Sequence, residues 1–431
     1  MKRMLMMLAV GATSIAAAQK PPAIRQIGHL EHSTTDSLAS VRIALPMRNG
    51  SVLVHDGKGR RIVLFDSTLA HPVLVADTTD ATNKAYGRSL AELFRYRGDS
   101  ALFVDVGSLS MMVINPNGKP GRVMAIPQPD EAQRLLEVFG LPGFDARGRL
   151  IYTVSPGLEG YLVLCCVEHP GRRPEWKAGA HEVPKPDSAL LLRVDLTTRA
   201  PDTIGSVKVE RHQQRIVTDD QGYVQSLQRL PVPLQIVDSW TVMSDGTLAV
   251  VRGRDYHIDW LGADGRWTSS TKMAFDWVRL DDERKAALLD SSAKAQEAVL
   301  AQSNARRASA PAGAGGGRGG GAGGGSGRGG TPIPEFVVRA NIADLPDYVP
   351  AIDEHAVIAD AENNLWIRTS TRVDGRPVYD IVNRRGELFD RVQLPPYRSI
   401  AGFGAGVIYM SVQDATGRVH LERARIRQEL R

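Results

Sequence analysis

Short apolar runs recur along this chain, each entered through a turn of small polar residues and followed by a second turn and a second apolar run. "RNGSVLVHD" from Arg48 leads to "RIVLFDSTL" from Arg61, and "RGDSALFVD" from Arg97 leads to "MMVINPNGK" from Met111. "ARGRLIYTV" from Ala146 leads to "LLLRVDLTT" from Leu190, and "SDGTLAVVR" from Ser244 leads to "HIDWLGADG" from His257. "AENNLWIRT" from Ala361 leads to "YDIVNRRGE" from Tyr379, and "GAGVIYMSV" from Gly404 leads to "HLERARIRQ" from His420. Gly, Asn and Asp suit the turns because they tolerate positive φ or bond their own backbone. Val, Ile, Leu and aromatic residues suit the strands between them. Asn117-Gly118 and Asp264-Gly265 are hairpin turn signals.

One such unit cannot bury both of its faces, so the six copies must pack on one another. Units of ~40–50 residues with four strands each predict an all-β fold, a six-bladed β-propeller. The last copy ends soon after the strand from His420 to Ile426 and so lacks an outer strand. "IRQIGHL", Ile24 to Leu30, is an extra strand-like segment ahead of the first copy. Pairing the two would close the ring and remove an exposed edge.

Three stretches carry a resemblance to a known class: "GDSALFVDVGSLSMMVINPNGK" from Gly98, "DSWTVMSDGTLAVVRGRDYHIDWLGADGRW" from Asp238, and "LPDYVPAIDEHAVIADAENNLWIRTS" from Leu345. The chain resembles exported bacterial six-bladed propellers of the NHL/TolB-like class. That resemblance implies a fold and almost nothing about activity, because propellers host many functions. The chain departs from simple NHL repeats in its irregular spacing and two insertions. The first, Pro156 to Asp187, contains "YLVLCCV". The second, residues 281–333, lies between the fourth and fifth copies. It begins with a predicted helix, Asp281 to Arg307, with Leu288, Leu289, Val299 and Leu300 as a narrow apolar stripe. Acidic residues at its start and Arg306-Arg307 at its end complement the helix dipole. "GAGGGRGGGAGGGSGRGG", Gly313 to Gly330, follows, and as a flexible coil it would span roughly 23 Å.

Charge and composition narrow the setting. Lys2 and Arg3, the apolar stretch Met4 to Ile15 and Ala16-Ala17-Ala18 read as a signal peptide over residues 1–18. The propeller then occupies 19–431, in a secreted or periplasmic protein. The apolar stretch is shorter than the ~20 residues a membrane span needs. The formal charge of +5 becomes 5 − 2 = +3 without Lys2 and Arg3. No dense Lys/Arg run interleaved with aromatics is present, so no nucleic-acid partner is expected, and the Arg-Gly-Gly triplets at Arg318 and Arg328 read as linker. The two cysteines, Cys165 and Cys166, are adjacent. They form either two thiols facing opposite sides of a strand or a strained vicinal disulfide, which an oxidising compartment would permit.

The sequence carries no Gly-x-Ser-x-Gly elbow, His-Glu-x-x-His pair, phosphate loop or calcium loop. Asp353, Glu354 and His355 are consecutive, and neighbours on a strand point to opposite faces. The densest mix of aromatic and charged groups is Asp238, Trp240, Arg252, Arg254, Asp255, Tyr256, His257 and Trp260. Asp238, Trp240, Arg254, Asp255 and Tyr256 are the candidate binding residues. The competing reading makes Trp240 and Trp260 inter-blade packing and places Arg254 and Asp255 on a connecting loop. The expected function is an exported, monomeric binding or interaction module for a small ligand or a protein partner. Its inter-blade loops and insertions would form the recognition surface. The alternative is a propeller-type enzyme, either a calcium-dependent lactonase-like hydrolase or a quinone-dependent dehydrogenase. No cofactor is identified, and calcium is the metal the first alternative would take.

Overall fold

The computed structural model describes residues 21–87, 91–127, 142–154, 177–183, 187–210, 213–222, 224–230, 232–308 and 341–427. The Cys165-Cys166 pair and the Gly313–Gly330 tract lie outside these residues.

The chain forms a ring of six blades. Two short strands, β1 (Ile24–Gln26) and β2 (Leu30–Ser33), precede it. Blade one is β3 (Ile43–Pro46), β4 (Val52–Asp56), β5 (Arg61–Phe65) and β6 (Val73–Ala76). Blade two is β7 (Ala91–Arg95), β8 (Ala101–Asp105), β9 (Ser110–Ile114) and β10 (Pro120–Ala125). Blade three uses β11 (Gly143–Phe144), β12 (Leu150–Val154), β14 (Ser188–Val194) and β15 (Pro201–Lys208). A separate three-stranded sheet is made by β13 (Gly179–Val183), β16 (Gln213–Thr218) and β17 (Val224–Leu230). Blade four is β18 (Ser239–Val242), β19 (Leu248–Arg252), β20 (His257–Leu261) and β21 (Trp267–Ser269). Helix α1 (Asp282–Ala308) lies in the link to blade five. Blade five is β22 (Ile352–Ala359), β23 (Leu365–Val373), β24 (Arg376–Val382) and β25 (Leu388–Gln393). Blade six is β26 (Arg398–Gly404), β27 (Val407–Gln413) and β28 (Val419–Arg425), with β2 as its outer strand.

The apolar runs are continuous because both faces of each strand are buried against neighbouring blades. In β19, Leu248 and Val250 pack with Ile151 and Leu191 of blade three, while Ala249 and Val251 pack with Leu365 and Ile367 of blade five. In β8, Leu102 and Val104 face blade three, and Ala101 and Phe103 face blade one. Buried clusters of this kind join every pair of neighbouring blades, including blades five and six through Trp366 and Phe403, and blades six and one through Tyr409 and Val54.

Ring closure differs from the sequence expectation in one respect. The expected closing strand was Ile24 to Leu30. In the structure Leu30–Ser33 pairs antiparallel with β28, whereas Ile24–Gln26 adds in parallel to β25, the outer edge of blade five. Specific side chains divide the segment between two blades. Arg25 binds Asp390 at 2.7 Å and donates to the Ile426 carbonyl at 2.7 Å. Glu31 faces Arg423 and Arg425 on β28. Ile27, between the two strands, is buried with Trp366 and Phe403.

Strand direction alternates within a blade, so its first and third turns share one face of the ring. The second turns and the blade-to-blade links share the other. The β13–β16–β17 sheet and α1 belong to this second, loop-bearing face. Asp281 caps α1 by accepting from Arg284 N–H at 2.9 Å. Lys285, Leu289 and Ala293, spaced one turn apart, are its buried stripe, and Lys285 binds Asp347 at 2.8 Å. Of the expected stripe, Leu289 is buried and Leu288 is half-buried, while the Val299 and Leu300 side chains lie outside those described.

Candidate functional site: the central channel

The first strands of the blades are stacked around the ring axis, and their inward backbones leave a cavity of about 1230 Å³. Its wall includes Ala44, Phe94, Phe144, Val242, Ile358 and Ala401, one residue from each blade. The mouth lies on the face bearing the first turns, which bond to one another around the opening. Arg48 N–H donates to Asp99 at 2.7 Å between blades one and two, and Arg97 donates to the Gly148 carbonyl at 2.7 Å between two and three. Ser244 donates to Asn363 at 2.7 Å between four and five, and Gly406 N–H donates to Glu362 at 2.9 Å between five and six.

The mouth is electrically lopsided. Blades one to three contribute Arg48, Arg95, Arg97 and Arg147. Arg97 is committed, bonding blade three while its guanidinium lies 6.0 Å from the Tyr96 ring centroid. Arg95 donates to the Pro46 carbonyl at 3.0 Å and lies 3.8 Å from Asp99, with 45% of its side chain still open to the channel. Burial lowers its pKa from the ordinary arginine value; Asp99 opposes that shift and the charge on Arg48 adds to it. On the opposite arc, Asp245 binds Arg384 at 2.7 Å, and Asp360 is buried beneath its own turn, accepting from Trp366 at 3.1 Å.

At the other end of the wall, Arg42 binds Glu92 at 2.6 Å. Behind Glu92 lies His55, fully buried, with Nδ1 3.3 Å from Glu92 and Nε2 2.8 Å from the Tyr86 hydroxyl. Burial pushes Glu92 up, but the hydrogen bond from His55 and the Arg42 guanidinium outweigh it and hold the carboxyl below its usual range. Burial, aided by the Glu92 charge, pushes Tyr86 up to about 12. Tyr86 is 3% exposed, so this Glu92–His55–Tyr86 chain is buried. It links blades one and two.

The residues singled out in blade four sit on the loop-bearing side, and none lines the channel. Trp240 packs between blades three and four. Tyr256 turns the opposite way, between blades four and five, and donates to Asp380 at 2.8 Å. Asp238 binds Arg252 at 2.7 Å and accepts from Lys208 N–H at 2.9 Å, tying the incoming link to the blade. A polar chain continues from Arg252 through Asp259 and His257 to Asp255, which also binds Lys272 at 3.1 Å. Arg254 is exposed. Asp353 and His355 lie on a bulge of β22, where His355 adopts φ 54°, so simple strand alternation does not describe them.

The arginine arc went unread in the sequence, although the signal was present. Arg48, Arg97 and Arg147 occupy the same first turn in the first three copies, where the fourth and fifth have Asp245 and Glu362.

No family model matches the chain, and no curated protein matches it. Solved structures of propeller proteins do. A catalytically inactive virginiamycin B lyase from Staphylococcus aureus, with quinupristin, is 11% identical over 90% of this chain and 97% of its own, with a TM-score of 0.38. A member of the duf4221 family from Bacteroides vulgatus is 10% identical over 94% of this chain and 96% of its own, at 0.40. The calcium-binding protein regucalcin from Agrobacterium tumefaciens is 9% identical over 94% and 98%, at 0.33. Likeness at this level says nothing of what the channel holds.

Proposed function

We propose that the protein is an exported binding module of the NHL/TolB-like propeller type, and that its ligand is a small molecule held in the central channel. The channel itself supports this reading. At about 1230 Å³ it has room for a small molecule, and apolar side chains such as Phe94, Phe144 and Val242 line it beside charged groups at the mouth. The basic start, apolar stretch and small-residue site over residues 1–18 support export. Among the described residues no helix is long and apolar enough to cross a membrane. The channel outranks the blade-four cluster as the place for a ligand, because none of that cluster's residues lines it.

A thermal-shift screen on the purified protein tests this. A ligand of the native state at a hundredfold excess over its Kd stabilises by ~2.7 kcal/mol. Ala361 and Ala405 are exposed on turns at the mouth, so Ala361→Trp with Ala405→Trp narrows the entrance without touching a packed core. Compounds that raise the wild-type Tm should lose their effect on this variant. Stabilisation that survives unchanged places the ligand elsewhere.

A further inference from the structure

We infer that the channel ligand carries an anionic group (carboxylate, sulfonate or phosphate) on an apolar body, and that Arg48, Arg95 and Arg147 receive the anion; this rests on the channel reading. The three arginines come from three consecutive blades and converge on one arc of one opening. Each guanidinium offers five N–H donors. Arg95 uses one on the Pro46 carbonyl, and its carboxylate neighbour is beyond hydrogen-bond distance at 3.8 Å. The side chains of Arg48 and Arg147 are exposed and hold no partner among the described residues. Two acids share this arc and both are engaged: Asp99 accepts from the Arg48 backbone, and Asp145 accepts from the Arg147 backbone and binds Arg149 at 2.7 Å. The acids across the mouth are likewise engaged, Asp245 by Arg384 and Glu362 by Gly406. The arc is thus a surplus of positive charge with unused donors, set in a partly enclosed wall where charge-assisted bonds gain strength. Apolar neighbours just inside, including Phe94, Phe144 and Val242, suit the body that carries the anion.

A matched pair of dyes separates charge from shape: anilinonaphthalene sulfonate, and phenylnaphthylamine, the same ring system without the sulfonate. With the full chain, the sulfonate should bind at least ~10-fold more tightly than the neutral dye, a difference of ~1.4 kcal/mol. Arg95→Gln should weaken the sulfonate ~10-fold and the neutral dye less than twofold. Arg48→Gln and Arg147→Gln alter exposed turn residues and should each weaken the sulfonate several-fold, with folding intact. Arg266→Gln, on an outer turn of blade four, removes the same charge away from the channel lining and should change neither dye. Equal binding of the two dyes overturns the inference, as does an effect of Arg48→Gln, Arg95→Gln and Arg147→Gln no larger than that of Arg266→Gln. Absence of saturable binding by either dye overturns it too. The Ala361→Trp, Ala405→Trp variant separates the two levels. If both dyes still bind it normally, the channel reading fails. If it excludes both while the arginine changes do nothing, only the anion fails.

Discussion

Replacing Tyr256 by Phe deletes one oxygen and keeps the ring that packs between blades four and five. The hydroxyl donates to Asp380 Oδ2 at 2.8 Å, and Arg391 donates to Oδ1 at 3.0 Å. Tyr256 and Asp380 are 0% and 1% exposed, so water cannot replace the lost donor. Burial, reinforced by the Asp380 charge, raises the Tyr256 pKa well above 10.0, so it remains a donor throughout the working range. A hydrogen bond to a buried charged group contributes ~1.5–3 kcal/mol. For 431 residues, a specific unfolding entropy of about 2.1 cal/mol/K per residue gives ~0.9 kcal/mol/K, so a loss of ~2 kcal/mol lowers Tm by ~2 °C. The pH dependence has a definite sign. Burial raises the Asp380 pKa above 3.8, and the bonds from Tyr256 and Arg391 only partly offset it. A raised aspartate pKa means the folded state holds its proton more tightly. The penalty of the ionised form is therefore full above the folded pKa and relieved as pH falls towards 3.8. Tyr256→Phe raises that pKa further, so its cost should be largest near about pH 7.5 and shrink towards about pH 4. Paired thermal melts of wild type and variant across this range measure it. A Tm difference that is absent at neutral pH, or that grows on acidification, refutes the reasoning.

Deleting residues 21–33 removes β1 and β2, leaves the edges of blades five and six unpaired, and should lower Tm by well over the Tyr256→Phe shift; unchanged melting would refute the double clasp. Gly246→Ala places Cβ 2.1 Å from Ala146 N at φ +84°, whereas Gly265→Ala at φ +80° meets open space. The second should cost ~1 kcal/mol and the first several-fold more by denaturant titration, and equal costs would mean the mouth turns are not in contact. Leu289→Ser should raise hydrogen exchange across residues 285–293 without unfolding the blades, since this stripe anchors α1; exchange already fast in wild type would contradict its docking. Native proteolysis should cut first at Arg318 or Arg328, a consequence of composition alone, and resistance at both would count against it.

The blade strands were legible in the chain because each is built from local rules. A polar turn such as Asn363-Asn364, followed by Leu365-Trp366-Ile367, specifies a strand wherever it is placed. Six copies of ~40–50 residues with four strands each pointed to a propeller ring, and the charge and apolar pattern of Asp281 to Arg307 to the helix between blades four and five. Tertiary structure decided what depends on meeting across the ring. It divided the first strand-like segment between two blades, because Asp390 and Arg425 lie 365 and 394 residues from their partners Arg25 and Glu31. It turned Trp240 and Tyr256, sixteen positions apart, into different interfaces, so a dense sequence cluster became packing and a polar chain. It also assembled the channel arc, whose members contribute one or two residues per blade and have no local motif. Local propensity acts over a few residues, whereas a site at the axis of a ring exists only once the last blade meets the first.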